Sequence, residues 1–304
     1  MDEALFARLA ERLAADPTAG VVLASVLQAQ GAVPRRRGSR MLITAANSEF
    51  SIGGGQLEAR VLAVAREMLN GRTASRQLSI DLGGKADSLG VCGGRLLIGL
   101  RSWCGRADCE RAERIAAQLQ SGRSLLLSGA EQGGEASDQC ELSPDPRLLI
   151  VGAGHCGQAL SQAAAALNFE VWVHDSRAEQ CAHSAFAGAA RVDSSPAMLQ
   201  QVGDSARPVY AVLLNRDYQA DIAALAVLLP QAPHFIGMMG SRRRIQQVLS
   251  APQLGAFGNL QGKLQAPIGL AIDAHTPEEI AISILAQLIA VRNAPATGKA
   301  ASGL

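Results

Sequence analysis

Leu5, Leu9 and Leu13 recur every four residues in the opening MDEALFARLAERL, with charged residues between them, the spacing of an amphipathic surface helix. From Gly20 the pattern becomes continuous. The run VVLASVLQAQG suits a strand or a buried helix equally, until Gly31-Ala32-Val33-Pro34 breaks it. Residues 40–44 read as a strand. Residues 56–69 read as a helix, with Leu57, Val61, Val64, Ala65 and Met68 at helical spacing and Asn70-Gly71 as its stop. Strand-like stretches at 77–81 and 95–100 flank a second glycine turn, Cys92-Gly93-Gly94. A helix over 108–120 and a strand over 124–128 complete a first domain at 1–130.

Residues 131–146, EQGGEASDQCELSPDP, are polar and carry two prolines, so they read as a linker. Beyond them the period alternates. Candidate strands at 148–151, 170–174, 208–214 and 234–236 are separated by helical segments, which predicts a mainly parallel sheet covered on both faces over 147–293. Residues 251–266 form a Gly/Gln-rich loop. The last helix starts with Thr276 as N-cap, Pro277 at its first position and Glu279 closing a capping box, and a flexible tail follows at 294–304.

Composition narrows the classes. Apolar residues make up 48% and charged residues 18% of 304, as in globular chains, and a net charge of +1 argues against nucleic acid or acidic membrane as a partner. Arg35-Arg36-Arg37 reads as a solvated turn. No stretch is long and apolar enough for a bilayer span, and the acidic, amphipathic start lacks the pattern of an export signal. The expected location is therefore cytoplasmic, with the six cysteines as thiols; none are spaced C-x-x-C, which argues against structural zinc.

The strand RLLIVG runs into Gly152-Ala153-Gly154-His155-Cys156-Gly157 and then a helical stretch, the strand–loop–helix context in which G-x-G-x-x-G carries meaning. In a Rossmann-type domain Gly152 permits the turn, Gly154 lets a phosphate approach the backbone and Gly157 lets helix and strand pack closely. Asp175, at the end of the next strand, stands where a ribose-binding acid belongs. It equally suits a cap on the following helix. Cys156 reads as helix packing, His174 as core or rim, and Met238-Met239 as core.

Six collinear segments resemble the xanthine dehydrogenase accessory (XdhC/CoxI) family: GAVPRRRGSRMLI, SIGGGQLEARVL, CGGR, GAGHCG, IGMMGSRRRIQQVL and PIGLAIDAHTPEEIAISILAQLIAVR. The resemblance implies an α/β protein with an N-terminal XdhC/CoxI-type domain followed by a Rossmann-like domain. It implies a maturation chaperone rather than a metabolic enzyme. Such a protein binds the molybdenum cofactor (molybdopterin), protects it while a cysteine desulfurase helps install the terminal sulfido ligand, and delivers it to an apo molybdenum hydroxylase of the xanthine dehydrogenase type. Two departures stand out. Val91 precedes a single Cys92 where the family often has paired cysteines, and Leu214-Asn215-Arg216-Asp217 replaces a His-rich stretch.

The candidate cofactor-binding residues follow. Gly53, Gly54 and Gly55 before a helix, like Gly152, Gly154 and Gly157, offer backbone N–H groups to a phosphate. Glu58 lies in the first helical turn. Cys92, opened by Gly93 and Gly94, is the soft thiolate candidate for the metal, and a buried inert thiol is the alternative. His155 can face a ligand, as can Asp175. Ser241 and Arg242 open a basic helix at the carboxyl edge of the sheet, where an anion or an acidic partner offsets the unfavourable dipole. The glycine turns of both halves are expected to share a crevice. Two other readings stay open: an NAD(P)-dependent oxidoreductase with His155 or Asp217 near its substrate, and a nucleotide-sensing regulatory module without catalysis. A homodimer is also left open.

Overall fold

Val21 to Leu27 is buried without interruption, although it belongs to a strand. The computed structural model describes residues 2–83, 93–260 and 262–294, and the chain divides into two units, Met1–Pro144 and Asp145–Leu304. The first unit runs α1 (Asp2–Ala15), β1 (Val21–Gln30), β2 (Arg40–Ile43), β3 (Ser48–Phe50), α2 (Gly55–Gly71), β4 (Ser75–Asp81), β5 (Arg95–Trp103), α3 (Gly105–Gln120), β6 (Leu125–Leu127) and β7 (Cys140–Leu142). Its main sheet has the order β3-β2-β1-β5-β4 with every pairing antiparallel.

That sheet explains the unbroken apolar run. Val22, Ala24 and Val26 face α2, packing with Leu57, Val61 and Met68. Val21 and Leu23 face the other way, toward Leu5, Phe6, Leu9 and Leu13 of α1 and Ile115 and Leu119 of α3. A central strand covered on both sides needs no polar alternation, which is why sequence pattern left strand and helix equal there. Each fully buried leucine on the inner stripe of α1 contributes roughly 2 kcal/mol.

The stretch expected as a linker is built into this unit. β7 pairs with β6, and Gln132 and Asp138 are buried. Gln132 Nε2 donates to the Asp138 carbonyl at 2.9 Å, and the Asp138 carboxylate accepts from Glu135 N at 2.9 Å. Part of the polar composition, at Gln132 and Asp138, serves internal hydrogen bonds, and the boundary falls at Pro144–Asp145.

The second unit runs β8 (Arg147–Val151), α4 (His155–Ala164), β9 (Glu170–His174), α5 (Ala178–Cys181), β10 (Arg191–Asp193), α6 (Ala197–Gln200), β11 (Val209–Leu213), α7 (Tyr218–Leu228), β12 (Phe235–Met238), α8 (Arg242–Leu249) and α9 (Pro277–Arg292). Its sheet has the order β10-β9-β8-β11-β12 and is parallel throughout. Leu149, Val151, Ala211 and Leu213 point to α6, α7 and α8, whereas Leu148, Ile150 and Val212 point to α4 and α9. The order reverses between β8 and β11, the topological switch point of a Rossmann sheet. The region expected as a loop at 251–266 holds a short 3-10 helix, Pro252–Phe257, and inserts Leu254, Leu260 and Leu264 into the core. The capping box of α9 forms as its sequence predicts: Thr276 Oγ1 accepts from Glu279 N, and the Glu279 carboxylate accepts from Thr276 N. No helix among the described residues is long and apolar enough to cross a membrane.

Candidate functional site

At the switch point, three loops leave the carboxyl ends of β8, β11 and β12. Gly152 (φ 116°) lies so close to β11 that a Cβ there would meet the Leu214 carbonyl carbon at 2.8 Å. At Gly157 a Cβ would stand 2.1 Å from Gly152 O, so this glycine lets α4 lie against the turn. Gly154 differs: a Cβ would meet nothing within 4 Å, and the residue serves as N-cap of α4 with no side chain closing the helix. The space beside Gly154 at the α4 start is therefore open and lies next to exposed His155, and the helix start is a place where an anion is favoured.

Cys156 is half-buried in the same turn. Burial pushes its thiol up, Glu278 adds to this and Arg216 opposes it, so Arg216 and Glu278 both lie within electrostatic reach of the α4 start. Arg216 is exposed, and its side chain has no acidic partner among the described residues. It belongs to the stretch that departs from the family pattern. Asp217, the other candidate there, caps α7 by accepting from Gln219 N at 3.0 Å.

Asp175 is committed to the fold. It is 3% exposed; Oδ2 accepts from Ala153 N at 2.8 Å, and both oxygens accept from the Arg177 guanidinium at 2.9 and 2.8 Å. Burial alone would raise its pKa. The hydrogen bonds from the Arg177 side chain and from the Arg177 and Ala153 backbones outweigh that and hold it below the usual carboxylate range. Asp175 thus ties the glycine loop to the end of β9 and carries the Arg177 guanidinium on its two oxygens. Its neighbour His174 is buried and contacts the Asp193 carbonyl at 3.0 Å, and burial lowers its pKa.

The basic start of α8 is divided between two tasks. Ser241 caps the helix through Arg244 N. Arg242 and Arg243 are exposed, but Arg244 turns back to the carbonyls of Asn215 and Arg216 and to the buried carboxylate of Asp221. Asn215 Nδ2 donates to the other Asp221 oxygen at 2.9 Å. Arg244 therefore clamps the loop after β11, which forms one wall of the switch-point mouth. Sequence reading missed this, although an acid inside the apolar stretch ADIAALAVLL was its signal.

In the first unit the three family motifs meet at one end of the sheet. A Cβ on Gly31 would stand 3.2 Å from Gly93 O, one on Gly94 would stand 2.4 Å from Ala32 O, and one on Gly53 would stand 2.8 Å from Pro34 Cγ. Gly53, Gly54 and Gly55 all have positive φ (139°, 78° and 61°). The amides of Gly53 and Gly54 are already taken, however. Glu58 Oε1 accepts from Ile52 N at 3.0 Å, Gly53 N at 3.2 Å, Gly54 N at 2.9 Å and Ser51 Oγ at 2.7 Å. Burial would raise the Glu58 pKa, but these donors together lower it. The nest expected to hold a ligand's phosphate holds the chain's own carboxylate, because the first helical turn brings Glu58 back over its start. Gly93 N donates to Leu82 O at 2.8 Å and Leu82 N to Gly94 O at 2.9 Å, so this pair prolongs the β4–β5 ladder. Cys92 lies outside the described residues. Among those described, no three His, Cys, Asp or Glu residues gather as a metal site.

Residues 14–81 match the XdhC and CoxI family and residues 148–288 the XdhC Rossmann domain, together well over half of the chain. The uncharacterized protein YqeB of Escherichia coli K12 is 28% identical over 276 residues, covering 89% of this chain and 43% of that protein. A probable xanthine dehydrogenase subunit of Bacillus subtilis 168 is 32% identical over 152 residues, covering 50% of this chain and 44% of the relative. The chain spans less than half the length of these curated relatives. A crystal structure described as a xanthine dehydrogenase from Bacillus halodurans shares the fold, with a TM-score of 0.78 at 24% identity, covering 96% of this chain and 98% of that one.

Proposed function

The chain belongs to the XdhC and CoxI family, and on that premise we propose that it is a maturation factor for a molybdenum hydroxylase of the xanthine dehydrogenase type. In this role it binds the molybdenum cofactor, shields it while a cysteine desulfurase installs the terminal sulfido ligand, and passes it to the apo-enzyme. The observation that carries the reading is the open space at Gly154 at the α4 start, beside exposed His155 and within electrostatic reach of Arg216, which has no acidic partner among the described residues. A pterin phosphate needs such donors: helix-start amides, a forked guanidinium and an imidazole. When bound, the cofactor supplies its own metal–sulfur chemistry. The chain's residues bind the phosphate, hold the loop after β11 through Arg244, and offer Cys92 as the soft donor this reading assigns to the metal.

The oxidoreductase reading is less well supported, because Asp175 spends its oxygens on Arg177 and Ala153 and offers no free acceptor to a ribose. Titration of the full chain with molybdenum cofactor, and separately with NAD(H) and NADP(H), tests the choice, followed by mixing with apo xanthine dehydrogenase. Retention of the cofactor and faster activation of the apo-enzyme are expected. Hydride turnover would replace this reading with the oxidoreductase, and nucleotide binding without cofactor retention would replace it with a nucleotide-sensing module.

A further inference from the structure

β12 is an edge strand of the parallel sheet, and a segment that follows α8 covers its free side. Gln265 N donates to Ile236 O at 2.9 Å and Met238 N to Gln265 O at 3.0 Å, so this segment runs parallel to the strand. Lys263, two residues before Gln265, is thereby brought to the amino end of β12. The switch-point mouth lies at the carboxyl ends of the strands. The two places are separate.

At that amino end the covering is incomplete. The 3-10 helix Pro252–Phe257, the turn after Leu229 and the backbone around Lys263 enclose a cavity of about 330 Å³. Small-molecule sites run from about 300 to 1,000 Å³, so this one suits a ligand of one ring or a short chain. Leu229, Pro233, Ile236 and Phe257 supply apolar walls, and His234 and Lys263 supply the polar side chains. The exposed His234 ring lies against Tyr210, 5.0 Å between centroids. Among the described residues, no acidic side chain lines the cavity.

Charge and walls together select the ligand. Lys263 Nζ donates to Phe257 O at 3.4 Å, near the long limit for such a bond, and has no acidic partner among the described residues. The ammonium is thus held beside an apolar space without a counter-ion from the chain. An anion entering there meets less screening than it would in open water. One ammonium balances one negative charge, and a doubly charged phosphate would leave the second unmatched. The Phe257 and His234 rings and the Ile236 side chain favour an apolar body behind the charged head. We propose that this cavity binds an organic monocarboxylate with an aromatic or short aliphatic body, its carboxylate on Lys263 and its body between Ile236 and Phe257.

Fluorine NMR titration of the full chain with para-(trifluoromethyl)benzoate tests this. The matching benzamide serves as the uncharged probe and the matching benzylamine as the cationic one. The benzoate is expected to bind roughly tenfold more tightly than the benzamide, as a charge-assisted bond to the ammonium requires. Lys263→Gln should remove that preference. Lys263→Glu should reverse it, so that the benzylammonium binds and the benzoate does not. Both variants alter an exposed side chain, so the melting temperature should hold. Absence of benzoate binding to the wild type would overturn the proposal, as would equal binding of benzoate and benzamide, or a benzoate affinity unchanged in Lys263→Glu. So would a benzoate affinity lost in Arg216→Gln but kept in Lys263→Gln, because the anion would then sit at the switch-point mouth.

Discussion

Glu58 Oε1 stands 2.9 Å from the backbone nitrogen of Gly54, the N-cap of the helix to which Glu58 belongs. With the Gly53 and Ile52 amides and the Ser51 hydroxyl, that oxygen fills the anion cradle made by three left-handed glycines. The first unit therefore closes its own nest, whereas the second unit leaves the start of α4 open at Gly154.

Glu58→Ala should empty the nest. Unfolding in urea is expected to show a loss of about 1–3 kcal/mol, the range for a charge-assisted hydrogen-bond set of this kind. Inorganic phosphate should then stabilise the variant more than the wild type. Equal stabilisation of both would mean that the cradle is not the binding place.

Arg244→Ala should be among the most damaging single changes in the second unit. It leaves the Asp221 carboxylate, fully buried on α7, without its cation, at a cost of about 3–5 kcal/mol. Burial already raises the Asp221 pKa in spite of Arg244. Without the guanidinium it should rise further, so the folded variant takes up a proton and its deficit shrinks as pH falls from 7 toward 5. A deficit independent of pH in chemical denaturation would contradict this.

Gly154→Ala and Gly157→Ala should separate binding from folding. At 157 the added methyl meets Gly152 O at 2.1 Å, and overpacking of that kind costs about 1–3 kcal/mol. At 154 the methyl enters open space with a backbone φ of −73°, so the melting temperature should hold while affinity for the phosphate-bearing ligand falls. Calorimetry of both variants with and without molybdenum cofactor checks the pair.

Asp175→Asn should flatten the acid limb of the stability curve. The Asp175 pKa is held low in the folded state, so its contribution is present above the unfolded value of about 4 and is lost as pH falls through the folded value. The variant should be less stable at pH 7 and should approach the wild type below pH 4. A constant gap across that window would mean that Asp175 titrates alike in both states.

Much of the fold was legible because short-range patterns reported it. The G-x-G-x-x-G loop and the alternating strands announced a parallel Rossmann sheet, and Thr276, Pro277 and Glu279 announced the start of α9 down to its capping box. β3, β7 and β10 were missed because Ser48–Phe50, Cys140–Leu142 and Arg191–Asp193 are three residues of mixed polarity, without the apolar run that announced the equally short β6. The site was only half legible. The glycine turns were found, but which one an internal carboxylate occupies depends on Glu58 returning to the amides of Gly53 and Gly54.

The sequence by itself determined the local conformations, the two families of turns and the membership they imply, since propensity, capping and glycine tolerance act within a few residues. Only the tertiary structure decided how each polar group is used. Asp175 turned out to be a tie to Ala153, Arg244 a clamp on the loop after β11, and residues 131–142 part of the first unit. Those outcomes depend on which distant groups a buried charge or amide meets, and no short-range pattern encodes such a meeting.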